Sequence, residues 1–432
     1  MRAIAPPKPK KPKPAMSQRL FAFTVLALAA AACDVDDETT LGTGTELLPA
    51  SGGDPRGYLV VATDYQSTSV GVVDAAGSVQ SPTLIASSSA APGLSTALSG
   101  DVVPPSSRQP GAEAVLIDRA QNVLSWVDVA SASVRAQLNV GTGFAANPQD
   151  YLALSADKAL VPRFAQNPEP GREPFDTGSD LLVIDPRTPA IARRIDLSSA
   201  LDGEEPGFLP RPSRVVLAGG LVRALLLVGS EDFRFGSSRV ASIDPQSDRI
   251  VSVLVLEGLT NCSNAALSPD GSRLALGCSG SFAQDPALGF PDAGIVLLEV
   301  GDELVETRRF AASALGGEQI GGVSFASERV LAFTATGRYT SDQSALAAPD
   351  ALRVLDLETG SASEPLVSTE LSAFSLGDVR CAPTLGVCLL ADAEAEGGLL
   401  HRLALEGGTL VEAGRTELGD SSGLPPRFLG EL

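Results

Sequence analysis

From residue 57 onward, short apolar runs alternate with turn-forming residues, and the alternation repeats. A β-rich run ending in an acidic residue recurs as Val72-Val73-Asp74, Trp126-Val127-Asp128, Val183-Ile184-Asp185, Ser242-Ile243-Asp244, Leu297-Leu298-Glu299 and Val354-Leu355-Asp356, with Arg402-Leu403-Ala404 in the seventh place. Successive spacings are 54, 57, 59, 55, 57 and 48 residues. Another apolar run precedes each of these, as in Tyr58-Leu59-Val60-Val61 or Ala224-Leu225-Leu226-Leu227-Val228. A turn and a further strand follow, as in Asp185-Pro186-Arg187-Thr188 before Ala190-Ile191-Ala192-Arg193-Arg194-Ile195. Short β-rich runs bounded by Gly, Pro, Asn, Asp and Ser read as strands, and a fixed period means one supersecondary unit repeated. Each unit supplies about four strands, the content of one propeller blade, and must stack on its neighbours because a lone four-stranded sheet cannot bury both faces. The pattern predicts an all-β chain whose residues 57–432 form a seven-bladed β-propeller of four-stranded antiparallel blades. A β-helix or a pair of sandwiches does not predict seven such periods. The first unit begins at its second strand, and Pro426-Arg427-Phe428-Leu429 is left over after the seventh. The C-terminal segment is therefore expected to supply the inner strand of blade one.

The turn Leu267-Ser268-Pro269-Asp270-Gly271 followed by Leu274-Ala275-Leu276, and the Ile-Asp-Pro strand ends, resemble the repeats of YVTN-like, quinoprotein-like propellers over roughly residues 57–432. The resemblance implies the fold and says little about activity, because propellers host many functions.

The N-terminus carries an address. Residues 2–15 are rich in Arg, Lys and Pro, and Met16 is the expected true start. An apolar run from Leu20 to Ala32 follows, short for a membrane span but right for the core of a signal peptide over residues 1–32. Its end, Ala29-Ala30-Ala31-Ala32-Cys33, resembles a bacterial lipobox, which implies a lipid on Cys33 and an anchor in a bacterial membrane. The family pattern has Leu three residues before the Cys where this chain has Ala30, and Ala30-Ala31-Ala32 also suits an ordinary signal peptidase without lipidation. Residues 33–56 read as a flexible acidic and Gly/Thr-rich tether. Its carboxylates Asp34, Asp36, Asp37 and Glu38 lack the Gly turn and distal Glu of a calcium loop.

The chain has five cysteines, and two pairs follow from hairpin symmetry. Cys262 and Cys278 lie at equal distance from Asp270, and Cys381 and Cys388 flank the turn Pro383-Thr384-Leu385-Gly386. Two such disulfides fit an oxidising compartment and leave Cys33 alone beside its signal; the other reading is four buried reduced thiols.

Charge removes a class of partner. Residues 1–32 hold six basic side chains and no acid, so the remainder carries 26 basic against 52 acidic residues, a net charge near −26. Such a surface repels phosphate backbones, so no nucleic acid is expected. Catalytic signatures are missing: no H-E-x-x-H, P-loop, C-x-x-C or dinucleotide fingerprint occurs, and the single histidine, His401, is expected on a blade surface. No catalytic residue, metal or cofactor is assigned. The recurring Asp74, Asp128, Asp185, Asp244 and Asp356 occupy the place of turn caps.

The insertions point to a surface. Long second-to-third-strand connections run from Ala165 to Gly178, Ser230 to Gly236, Ser279 to Ala293 and Thr336 to Pro349, in blades three to six. All should emerge on one face, carrying Phe175, Asp176, Phe233, Arg234, Phe235, Phe282, Phe290, Arg338 and Tyr339. In a chain with only 5% aromatic residues this clustering marks a candidate binding face. The alternative is that these rings pin their own loops to the blade edges. Two functions follow as expectations. One is a lipid-anchored envelope protein whose propeller binds or scaffolds a protein or an envelope polymer. The other is a propeller enzyme of the lactonase or quinoprotein dehydrogenase kind.

Overall fold

The computed structural model describes residues 54–281, 289–340, 342–394, 398–419 and 422–432. The signal segment, Cys33 and most of the tether lie outside them, as does Phe282. Seven antiparallel sheets form the blades of a propeller. Blade one is closed by the C-terminus: strand Gly57–Thr63 pairs on one side with Thr68–Asp74 and on the other with Pro426–Glu431, in register Tyr58 to Glu431 and Val60 to Leu429. Blade two is unusual at the axis, where its inner strand is only Val102–Val103. Blade six lacks a continuous outer strand; Ala351–Asp356 pairs instead with the fragments Ser361–Ala362 and Val367–Ser368.

The apolar runs become strands buried on both faces because each blade is covered on both sides by its neighbours. Seven hydrophobic clusters result, one for each blade interface. Leu59, Val61 and Ala114 join blades one and two, for example, and Tyr58, Leu389 and Leu429 join seven and one. The blades also share a device that the hydrophobic pattern does not carry. In six of them a β-bulge or register shift interrupts the pairing of third and outer strands just before the turn, as between Val183 and Ile184 or Ser242 and Ile243. Such bulges increase strand twist. The acid at the end of the third strand then caps the turn. Asp74 accepts from Ala76 and Ser78 N–H, Asp128 from Ser131, Asp185 from Arg187, Asp244 from Gln246 and Asp356 from Glu358, all at 2.8–2.9 Å.

Two disulfides, Cys262–Cys278 and Cys381–Cys388, link inner to second strands of blades five and seven. Chain-entropy arguments give each about 2–3 kcal/mol. The hairpin of blade five is not centred on Asp270 throughout. Leu267 pairs with Leu274 and Asn264 with Gly277, and a bulge beyond Asn264 brings Cys262 opposite Cys278.

Each blade has two ends. Inner-to-second and third-to-outer turns define a lower face, and second-to-third and blade-to-blade connections define an upper face. The upper face carries the insertions. On the lower face, residues 104–112 of blade two lie across the axis: Ser106 donates to Asp150, Ser107 to the Val215 carbonyl, and Arg108 pairs with Glu431 at 3.3 Å. This plug replaces the inner-strand length that blade two lacks.

Candidate functional site

The side chains expected on the upper face divide into two groups. Asp176 is buried, its carboxylate accepting the N–H groups of Gly171, Arg172 and Glu173 at 2.7–3.0 Å, and these bonds hold it below the usual carboxylate range. Phe175 is half-buried against the cluster between blades two and three, and Phe290 is buried with Ala293 and Ala312. All three contact their own or neighbouring loops, the arrangement of the alternative in which such groups pin loops to the blade edges. Arg338 pairs with Glu318 at 3.1 Å. Arg234 pairs with Asp232 and Glu205 and covers the Phe208 ring, with half-buried Phe235 beside it. Among the described residues, Phe233 is the one expected ring that projects freely, 80% exposed.

The face also presents apolar groups from short turns that held no sequence signal. Tyr65 stands in the brief second-to-third-strand turn of blade one, 57% exposed, and Leu371 and Phe374 in the connection from blade six to blade seven, 80% and 57% exposed. Leu371 and Phe374 are held from beneath by half-buried and buried acids. Asp350, buried, accepts the N–H groups of Phe374, Ser375, Leu376 and Gly337 at 2.6–3.0 Å. Glu394 accepts those of Glu370, Leu371 and Ser372 at 2.6–3.0 Å. Burial opposes ionisation of Glu394, but these N–H groups outweigh it and lower its pKa. Under Tyr65, Thr63 donates to the carbonyl of Gly100, and Gly100 lies so close to the Tyr65 backbone that a Cβ there would come within 2.3 Å of it.

The pieces connect laterally. The Tyr339 ring lies 6.4 Å from that of Phe374, whose carbonyl accepts from Arg427, and Arg427 covers the Tyr65 ring at 5.1 Å. Tyr65, Phe175, Phe233 and Phe374 all have φ between 60° and 66°. That left-handed region is uncommon for bulky residues and costs about 1–3 kcal/mol at each position. Four aromatic residues of one face share it.

His401 is not on the surface. It is buried within blade seven, Nε2 to Asp392 at 2.9 Å and Nδ1 to Glu412 at 2.8 Å, because its neighbours on the second and outer strands supply carboxylates across the sheet. Burial pulls its pKa down, but the two carboxylates more than reverse this and hold it above 6.5. Below pH 6.5 the protonated ring contributes its full stabilisation, which is lost as pH rises through the folded-state pKa. Asp392 and Glu412, both lowered, lose theirs only as pH falls through their own folded-state values. Thermal melts of His401→Gln against the parent chain are expected to differ most near pH 5–6 and to converge towards pH 9; a difference independent of pH would refute this. With both ring nitrogens engaged by acids, His401 has no free nitrogen to act as a base. Among the described residues no group of three or more His, Cys, Asp or Glu side chains is placed to hold a metal ion.

No protein-family model and no curated protein matches the sequence. Solved structures do match by shape. A candidate 6-phosphogluconolactonase of Bacteroides fragilis aligns with TM-score 0.53 at 11% identity, over 89% of this chain and all of its own. Hydrazine synthase of Kuenenia stuttgartiensis gives TM-score 0.52 at 15% identity over 82% and 97%. A β-propeller domain from Myceliophteria thermophila gives 0.51 at 12% over 81% and 96%. At such identities, and with such different proteins, what the chain shares with them is the propeller fold.

Proposed function

We propose that this protein is an exported bacterial envelope protein, tethered through a lipid on Cys33, whose propeller is a binding module for a protein or an envelope polymer. The upper face is the binding surface. The observation that carries this reading is the set of exposed Tyr65, Phe233, Leu371 and Phe374 on that one face: Tyr65, Phe233 and Phe374 stand in left-handed backbone, and carboxylates beneath hold the backbone of Leu371 and Phe374. Rigid aromatic groups presented in advance lose little freedom on binding, and unfavourable backbone conformations persist where the surrounding structure enforces them. The two disulfides support export to an oxidising compartment. The net charge near −26 favours neutral or basic partners over anionic ones.

Capture from envelope extracts with the purified chain tests this. Replacing Tyr65, Phe233 and Phe374 together by Ser, all at exposed positions, is expected to reduce capture at least about tenfold. It should leave the melting temperature unchanged or slightly raised. Undiminished capture would exclude the upper face.

A further inference from the structure

The described chain begins on the lower face. Asp54 accepts the N–H of Thr384, in the lower turn of blade seven, at 2.8 Å, and Arg56 donates its backbone N–H to the Leu432 carbonyl at 2.9 Å. Thr384 is also part of the wall of a hollow of about 170 Å³ at the lower mouth of the channel, enclosed by the plug and by the inner strands of blades four to seven. The charged rim of this hollow is balanced. Arg108 pairs with Glu431 at 3.3 Å, Arg380 lies 3.7 Å from Asp378, and Asp54 acts electrostatically on Glu431. The wall itself is apolar. Val323 and Phe325 are buried, but Val216, Ala265, Ala266 and Leu267 are only half-buried, although they adjoin the hydrophobic clusters between the blades. Covering such surface is favourable, so the hollow fits an apolar occupant rather than an ion.

The chain's own tether supplies such an occupant within reach. Between Cys33 and Asp54 the large apolar side chains are Val35, Leu41, Leu47 and Leu48, and only the last two are adjacent. Leu48 precedes Asp54 by six residues, a span of up to about 20 Å. Ser51-Gly52-Gly53 between them is a turn-forming sequence that lets the chain reverse onto the mouth. A cavity of about 150 Å³ accepts the six carbons of benzene, so the hollow has room for the smaller side chain of a leucine. We propose that Leu47-Leu48-Pro49 of the same chain docks in the lower hollow, its leucines against Val216, Leu267 and Phe325. Docked there, the segment closes the lower mouth and keeps the N-terminal chain away from the upper face. The inference extends the binding reading above and rests on it only for that last consequence.

Photo-crosslinking of the purified full-length chain tests the docking. With benzoylphenylalanine in place of Leu48, crosslinks within one molecule are expected on residues 265–269, 323–325 and 380–384. Leu47→Ser combined with Leu48→Ser is expected to raise hydroxyl-radical labelling of Val216 and Leu267 at least about threefold, by uncovering apolar surface. It should also lower the melting temperature, while labelling of Phe233 stays as in the parent. Crosslinks between copies would assign the hollow to a second molecule, and crosslinks on the upper face would place the segment elsewhere. Either result, or unchanged labelling of both Val216 and Leu267, overturns the proposal. Capture by the upper face is read separately, so the failure of one reading leaves the other standing.

Discussion

Deleting the closing strand Pro426–Glu431 is expected to abolish cooperative folding. The strand completes blade one, and its Leu429 is fully buried between blades seven and one. Without it the strand Gly57–Thr63, buried at every position, loses its inner partner and exposes a ladder edge along the channel. Burying one Leu side chain is worth about 1.5–3 kcal/mol. With the lost ladder and the opened interface, the total approaches the roughly 5–15 kcal/mol by which a whole domain is stable. Leu429→Ala alone should cost about 2–5 kcal/mol. Chemical denaturation of both variants checks this; a truncated chain that melts as the parent does would mean the ring does not depend on its C-terminus.

The second large effect concerns Asp180→Ala in blade three. Arg163 and Asp180 are both fully buried and joined by two 2.8 Å hydrogen bonds. Arg163 also donates to the Val140 carbonyl, to Thr142 and to the Phe175 carbonyl. Removing the carboxylate leaves a guanidinium in the interior without its counter-ion, at a cost of about 3–5 kcal/mol. Because Arg163 grips Phe175, the connection over residues 165–178 should also become sensitive to protease. Denaturant midpoints together with limited proteolysis would show both changes. A loss below about 1 kcal/mol, the range of exposed pairs, would contradict the burial argument.

The sequence resolved what depends on short-range pattern. Seven periods, the unpaired first strand, the leftover Pro426-Arg427-Phe428-Leu429 and the hairpin symmetry around two cysteine pairs are all read along the chain, and all correspond to the blades, closure and disulfides of the structure. What it did not resolve depends on neighbours in space. His401 sits in an apolar strand run, and nothing local says that Asp392 and Glu412 flank it across the sheet. Phe290 and Asp176 occupy long loops and so resemble surface groups, whereas each folds back on its own loop. Tyr65 and Phe374 occupy turns too short to attract notice. Their prominence comes from Asp350 and the Gly100 approach, which lie 24 or more residues away along the chain. The plug at residues 104–112 reads as an ordinary Pro-rich loop until the two-residue inner strand of blade two leaves the axis open to it.

Hydroxyl-radical footprinting of the full-length protein, in intact cell envelopes and after purification, tests the central claim most directly. Tyr65, Phe233, Leu371 and Phe374 are expected to be shielded in the envelope and readily oxidised once purified, while Leu385 on the lower face, 54% exposed, is labelled equally in both states. Equal labelling of the four upper-face residues in both states, or shielding confined to Leu385, would contradict that claim.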